Sequence, residues 1–174
     1  MPRILLPIIT IVIASLMLAY SNILSAIVSP HLLDVKYNTL SAPAQKQVKC
    51  LAENIYFESA DEPDEGKLAV AFVTLNRTRH KNFPRSVCEV VTQKTNSTCQ
   101  FSWFCLVKDK TPRNDEMFTK ILDMASFIYV NYDKIDDPTS GALFYHADYV
   151  NPRWKNLNPI TTIGRHIFYV PKDI

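Results

Sequence analysis

A chain of 174 residues, 47% of them hydrophobic and only three of them glycine, suffices for one domain with a proper core plus a terminal appendage, and would cramp two domains. A formal net charge of +2 excludes the strong basic field that marks nucleic-acid binders. The one basic cluster, Arg77, Arg79, His80, Lys81 and Arg85, falls where a helix is expected to end and reads as a solvated terminus complementing the helix dipole.

In chain order, residues 4–28 hold no charged side chain. Roughly twenty apolar residues cross a bilayer, so 1–28 is expected to be a transmembrane segment or signal anchor. Arg3 and the amino terminus favour that end staying in the cytoplasm, with the remainder exported. The long apolar run favours an uncleaved anchor, since secretory apolar regions are normally shorter, while Ala26 offers a cleavage point after small residues. Residues 29–47, with Pro30 and Pro43 among polar residues, read as a tether, and residues 48–174 as the folded domain.

The domain opens with a helix whose apolar positions Val48, Leu51 and Ile55 recur at spacings of three and four, and the next position of that series is Glu58. A carboxyl on a buried face either finds a cation or is pushed toward holding its proton at neutral pH, which equips it as a general acid. An exposed Glu at a helix end is the other account of the same residue. Asp61, Glu62, Asp64 and Glu65 surround Pro63 and read as helix-start residues, favoured there by the dipole. The second helix is then expected to run to about Arg79 with Leu68, Phe72 and Leu75 as its core stripe.

Phe83 to Arg113 has the composition of a long ordered loop, and long loops in compact domains tend to be functional. Within it, Gln100-Phe101-Ser102-Trp103-Phe104 sets aromatic rings beside an amide, which suits a sugar, rings stacking on pyranose faces while the amide bonds hydroxyl or acetamido groups. An aromatic core plug fits the same residues. Cys50, Cys88, Cys99 and Cys105 are even in number and follow the export signal, consistent with one or two disulfides; three pairings are open, and Cys99 and Cys105 are near enough to close a small loop. Zinc-ligand spacing is not seen, and the four histidines are dispersed.

Asn114 or Asp115 caps a third helix with the face Phe118, Ile121, Leu122, Ala125, Ile128 and Tyr129. Residues 136–141 form a turn, and 142–146, 159–163 and 166–170 have strand composition, the last two joined by Gly164-Arg165 as a hairpin. Helices beside a small antiparallel sheet make the domain α+β.

The runs LAENIYFES, EPDEGKLAVAFVTLNR, FPRSVCEVV and CQFSW, in that order, resemble the SleB/CwlJ-type cell-wall hydrolases, the family of spore cortex-lytic enzymes and some phage lysins. The resemblance spans Cys50 to about Pro171. It implies a lysozyme-like, lytic-transglycosylase-like helical domain whose acid, matched by Glu58, lies on a helix facing a sugar cleft. It further implies substrate-binding roles for Gln100, Phe101 and Ser102, in the family's Gln-Phe-Ser run, and for Tyr145, His146 and Trp154, in its aromatic C-terminal motif, with core packing the competing account of the last three. Family members usually read Glu-Ala-Arg-Gly-Glu where this chain reads Glu58, Ser59, Ala60, Asp61, Glu62, so no role of that Arg carries over.

The implied reaction is cleavage of the N-acetylmuramic acid to N-acetylglucosamine bond of peptidoglycan. With no second acid standing out, the resemblance points to lytic transglycosylation by Glu58 alone rather than to a two-carboxylate glycosidase. The expected enzyme needs no metal or organic cofactor, binds no nucleic acid, and works as a monomer held to the membrane by its N-terminal helix, its domain on the extracytoplasmic side. Rival readings are an N-acetylmuramoyl-L-alanine amidase, a non-catalytic peptidoglycan-binding membrane protein and a purely structural membrane protein.

Overall fold

The computed structural model describes residues 34–96 and 98–172, so the expected membrane segment and the first part of the tether lie outside the described residues. Among the described residues no helix is long and apolar enough to cross a membrane. Helix α1 spans Ala42–Ser59, with Pro43 in the first turn, where its fixed φ fits and its missing N–H is not needed. The last residues of the expected tether are therefore helical. They join the fold because Tyr37 and Leu40 pack on the core and the Gln45 side chain donates to the Tyr37 carbonyl at 3.2 Å.

Helix α2, Asp64–Arg79, has Pro63 at its cap and Asp64 and Glu65 in its first turn, as expected. The expected stripe faces the main core, with Phe72 and Leu75 buried in it and Leu68 packed against it, but the fold buries a second face of the helix as well. Ala71, Phe72 and Leu75 pack with Val48, Leu51 and Ile55 of α1, while Ala69 and Val73 pack on the other side with Ala142, Ile163 and Phe168 of the sheet. Sandwiched this way, α2 is buried on both faces, each large side chain contributing about 1.5–3 kcal/mol.

The segment expected as a loop between Phe83 and Arg113 instead contains two short helices and a hairpin. Helix α3, Val87–Thr92, starts where the Ser86 hydroxyl accepts from the Glu89 N–H. Strands β1, Lys94–Thr95, and β2, Thr98–Cys99, pair antiparallel, and α4 covers Ser102–Leu106. Two disulfides hold this region: Cys50–Cys88 ties α1 to α3, and Cys99–Cys105 brackets residues 100–104. Helix α5, Asp115–Asn131, is capped by Asn114, whose side chain accepts from the Met117 N–H at 2.9 Å, and packs on α1.

Strands β3, Phe144–Ala147, β4, Leu157–Ile163, and β5, His166–Pro171, form an antiparallel sheet in the order β3-β5-β4. The turn before β3 is built by Asp137, whose carboxylate accepts from the Thr139 and Gly141 N–H groups at 2.7 Å each and is tied to α2 by the Asn76 amide at 2.9 Å. Gly164 turns the β4–β5 hairpin at φ 57°, a left-handed conformation that glycine adopts without penalty. A Cβ at Gly164 would collide with the Glu62 carboxylate, which accepts from the Arg165 N–H at 2.9 Å. Glu62 therefore does more than start α2: it docks the hairpin against the α1–α2 corner.

Candidate active site

The last turn of α1 brings Glu58 beside the sheet. The Tyr145 hydroxyl, from β3, donates to Glu58 Oε2 at 2.9 Å. All seven residues singled out in the sequence, Glu58, Gln100, Phe101, Ser102, Tyr145, His146 and Trp154, line one cleft of about 410 Å³. A second recess of about 300 Å³ continues past Glu58 toward Asp61, Tyr149 and Arg165, so the carboxyl stands between two concavities. A larger cavity of about 480 Å³ lies between α5 and the start of α2, but its charged groups are already in ion pairs, Lys67 with Asp64 and Lys120 with Glu116. Size alone would favour that cavity; chemistry favours the cleft.

Burial raises the Glu58 carboxyl above the ordinary glutamate range, with the Tyr145 hydrogen bond and the Arg77 charge pulling back only part of the way. Its phenol partner stays protonated, because burial and the neighbouring carboxylate push Tyr145 upward. The site therefore presents a half-sheltered carboxyl group with a fixed hydroxyl donor. Glu58 is the only Asp or Glu among the described residues lining the main cleft.

The aromatic run belongs to the core and to the cleft at once. Phe101 and Trp103 are core residues, 3% and 5% exposed, yet both reach the cleft floor. Trp103 stacks on Phe57 at 4.5 Å, and its indole N–H donates to Asn54 Oδ1 at 2.9 Å. Asn54 in turn donates to Thr74 Oγ1 at 3.0 Å, closing a buried polar network. Gln100 is half-buried and Ser102 exposed at the edge. On the opposite wall, the His146 Nδ1–H donates to the Ala147 carbonyl and Nε2 accepts from the Tyr169 hydroxyl, each at 2.8 Å. That fixes the imidazole as a platform, and Trp154, 40% exposed, meets it edge-on at 5.5 Å.

Among the cleft residues not singled out in the sequence are two with basic side chains, Arg77 and His166. Arg77, read there as part of a solvated helix end, is 3% exposed. Its Nε donates to the Leu143 carbonyl at 2.8 Å, and its guanidinium carbon lies 4.9 Å from the Phe101 ring centre. The signal was present: Val70, Val73 and Arg77 repeat at the spacing that located Glu58. His166 is also buried, its ring edge-on to Tyr145 at 5.1 Å. Burial holds its imidazole below the usual histidine range, against the opposing charges of Glu62 and Asp148. Alternation of His166 with Phe168 along β5 was its signal. Among the described residues no group of three or more His, Cys, Asp or Glu side chains converges, and all four cysteines are in disulfides.

Residues 61–169, from the corner before α2 to the end of the sheet, match the family model for cell wall hydrolases. The chain belongs to the cell wall hydrolase family. The matched span begins three residues beyond Glu58, so the family model covers the cleft walls but not the carboxyl itself. The spore cortex-lytic enzyme of Bacillus cereus is 30% identical over 142 residues, covering 75% of this chain and 47% of the relative. The chain thus spans about half the length of the curated relatives it matches. Its fold is similar to the crystal structure of the catalytic domain of the Bacillus cereus SleB protein, at 29% identity and TM-score 0.56, covering 72% of this chain and 91% of that one. It is also similar to the catalytic domain of the germination-specific lytic transglycosylase SleB from Bacillus anthracis, at 29% identity and TM-score 0.58, covering 76% and 98%. The α+β architecture of helices with a small antiparallel sheet is shared with these domains.

Proposed function

We propose that this protein cleaves the glycan strand of peptidoglycan at the N-acetylmuramic acid to N-acetylglucosamine bond, as a lytic transglycosylase with Glu58 as its acid. The observation that carries the reading is the Glu58 carboxyl, raised by burial and held by Tyr145 at 2.9 Å, in a cleft walled by the family's motif residues. Glu58 donates its proton to the bridging oxygen as the bond to the muramyl anomeric carbon breaks. The carboxylate then accepts the proton of the muramyl 6-hydroxyl as that oxygen closes on the anomeric carbon, leaving an anhydro end and consuming no water. Two-carboxylate glycosidases need a second Asp or Glu across the bond, and the lining of this cleft supplies Glu58 alone among the described residues.

Gln100 and Ser102 are assigned to polar groups of the sugar, and Phe101, Tyr145, His146 and Trp154 to its faces. The protein acts outside the cytoplasmic membrane, as a monomer, with residues 1–28 as its membrane segment and 48–174 as its catalytic domain. The two disulfides support an oxidising compartment.

Mass spectrometry of peptidoglycan digested by the wild type and by Glu58→Gln tests the reading. Anhydro ends from the wild type and none from the variant, with wall binding retained, are expected. Reducing ends identify a muramidase, released peptides an amidase, and no cleavage by either protein a wall-binding module.

A further inference from the structure

The end of α2 places a cation behind the cleft that no ion pair explains. Among the described residues, Arg77 has no carboxylate within salt-bridge distance, whereas Arg79, two residues on, pairs with Asp133 in solvent. Its side chain is enclosed by the rings of Phe101, Phe83 and Phe144, at 4.9, 5.3 and 5.8 Å from the guanidinium carbon. Nε is spent on the Leu143 carbonyl, while Nη1 is buried with no hydrogen-bond partner. A buried charge with a donor left over is destabilising, and a fold that served only packing would use an apolar side chain there.

We propose that Arg77 is a positioning residue for the reaction: it supplies the fixed positive charge against which Glu58 cycles between carboxylic acid and carboxylate. The inference rests on the reading of Glu58 as the acid. Leu143, which anchors Arg77, lies two residues before Tyr145 on the same strand lead-in, so one short segment sets both the cation and the hydroxyl around the carboxyl. Burial draws the guanidinium down to about 10, which leaves it charged throughout the neutral range, and its principal electrostatic neighbours are Tyr145 and Glu58.

The other groups around Glu58 do not supply this charge. His146 on β3 turns its ring nitrogens to the Ala147 carbonyl and the Tyr169 hydroxyl rather than to Glu58, and His166 on β5 is held toward its neutral form by burial. Asp61, Glu62 and Tyr149 in the adjoining recess carry no positive charge, Glu62 being bonded to the Arg165 N–H. Arg165 lies over the exposed Tyr149 ring at 5.5 Å, on the solvent side of that recess. When the proton leaves Glu58, the new carboxylate is therefore stabilised by one hydroxyl and one buried cation. Without the cation, the acid keeps its proton to higher pH and releases it less readily.

The test is a carbon-13 NMR titration of the Glu58 carboxyl in the wild type, Arg77→Gln and Arg77→Lys, read without substrate, beside pH–rate profiles on peptidoglycan. In Arg77→Gln the Glu58 midpoint and the basic limb of kcat are expected to move to higher pH, with kcat at neutral pH down roughly tenfold and KM nearly unchanged. Arg77→Lys is expected to restore midpoint and limb toward wild type. An unchanged midpoint in folded Arg77→Gln overturns the proposal. Should the glutamine variant fail to fold, a folded lysine variant with its midpoint displaced well upward overturns it equally. Activity surviving in Glu58→Gln would instead sink the assignment of the acid, a separate readout from the titration.

Discussion

The hydroxyl of Tyr145 donates a 2.9 Å hydrogen bond to Oε2 of Glu58, joining a helix end to a strand 87 positions later in the chain. That bond stabilises the carboxylate form of a group that burial pushes the other way. Tyr145→Phe therefore leaves Glu58 holding its proton to higher pH. A hydrogen bond to a charged group contributes about 1.5–3 kcal/mol, so kcat at neutral pH is expected to fall roughly tenfold or more, with the basic limb of the pH–rate profile displaced upward. A profile that overlays the wild type removes Tyr145 from the chemistry.

Stability should carry the same signature with a definite sign. The folded-state value of Glu58 lies above the ordinary glutamate value of 4.5, so the folded protein binds that proton more tightly than the unfolded chain. The resulting contribution is fully present below about pH 4.5 and is lost as pH rises through the folded-state value. Glu58→Gln, neutral at every pH, should match the wild type at about pH 4 and exceed it in Tm at about pH 8, equivalent to about 0.5–2 kcal/mol. Thermal melts of both proteins across that interval decide the matter; a wild type that gains on the variant as pH rises contradicts the sign.

The two disulfides are expected to separate stability from activity. Cys50–Cys88 closes a sequence separation of 38 and clamps α3 to the helical core, and replacing both cysteines by Ser should cost about 2–4 kcal/mol in denaturant unfolding. Cys99–Cys105 spans six positions but holds the wall that carries Gln100, Phe101 and Ser102. Its double Ser variant should lose less stability and show the larger rise in KM. Equal effects of the two pairs on KM would mean that the wall is set by packing alone.

Asn54 is fully buried between the Thr74 hydroxyl and the Trp103 indole. Asn54→Leu leaves the Trp103 indole N–H without an acceptor, while the Thr74 hydroxyl keeps its bond to the Val70 carbonyl at 2.9 Å, and should cost about 1–3 kcal/mol. Loss of Trp103 fluorescence order, read by quenching in the folded variant, would show that the network also fixes the cleft floor; quenching identical to wild type would limit its role to stability.

Most of the helical half was legible from period alone. Val48, Leu51, Ile55 and Glu58 set the phase of α1, and Asn114 announced the start of α5, because these are local signals that tertiary contacts merely reinforce. The second buried face of α2 was not, since Ala69 and Val73 are covered by a sheet formed some seventy or more residues downstream. Arg77 was misread for the same reason: beside Arg79 and His80 it resembles a solvated terminus, and only Phe101, Phe144 and Leu143, arriving from distant segments, bury it. The motif residues of the cleft were found through resemblance, while the short helices near them were missed because six- and five-residue elements carry too few turns to show a period.

The docking of the β4–β5 hairpin by Glu62 against Gly164 has a consequence for how this protein diversifies. The Glu58 carboxyl belongs to the helical half and the Tyr145 hydroxyl to the sheet, so the width of the groove is set at a seam rather than within either half. Changes at that latch can widen or narrow the mouth while the helical interior keeps its packing.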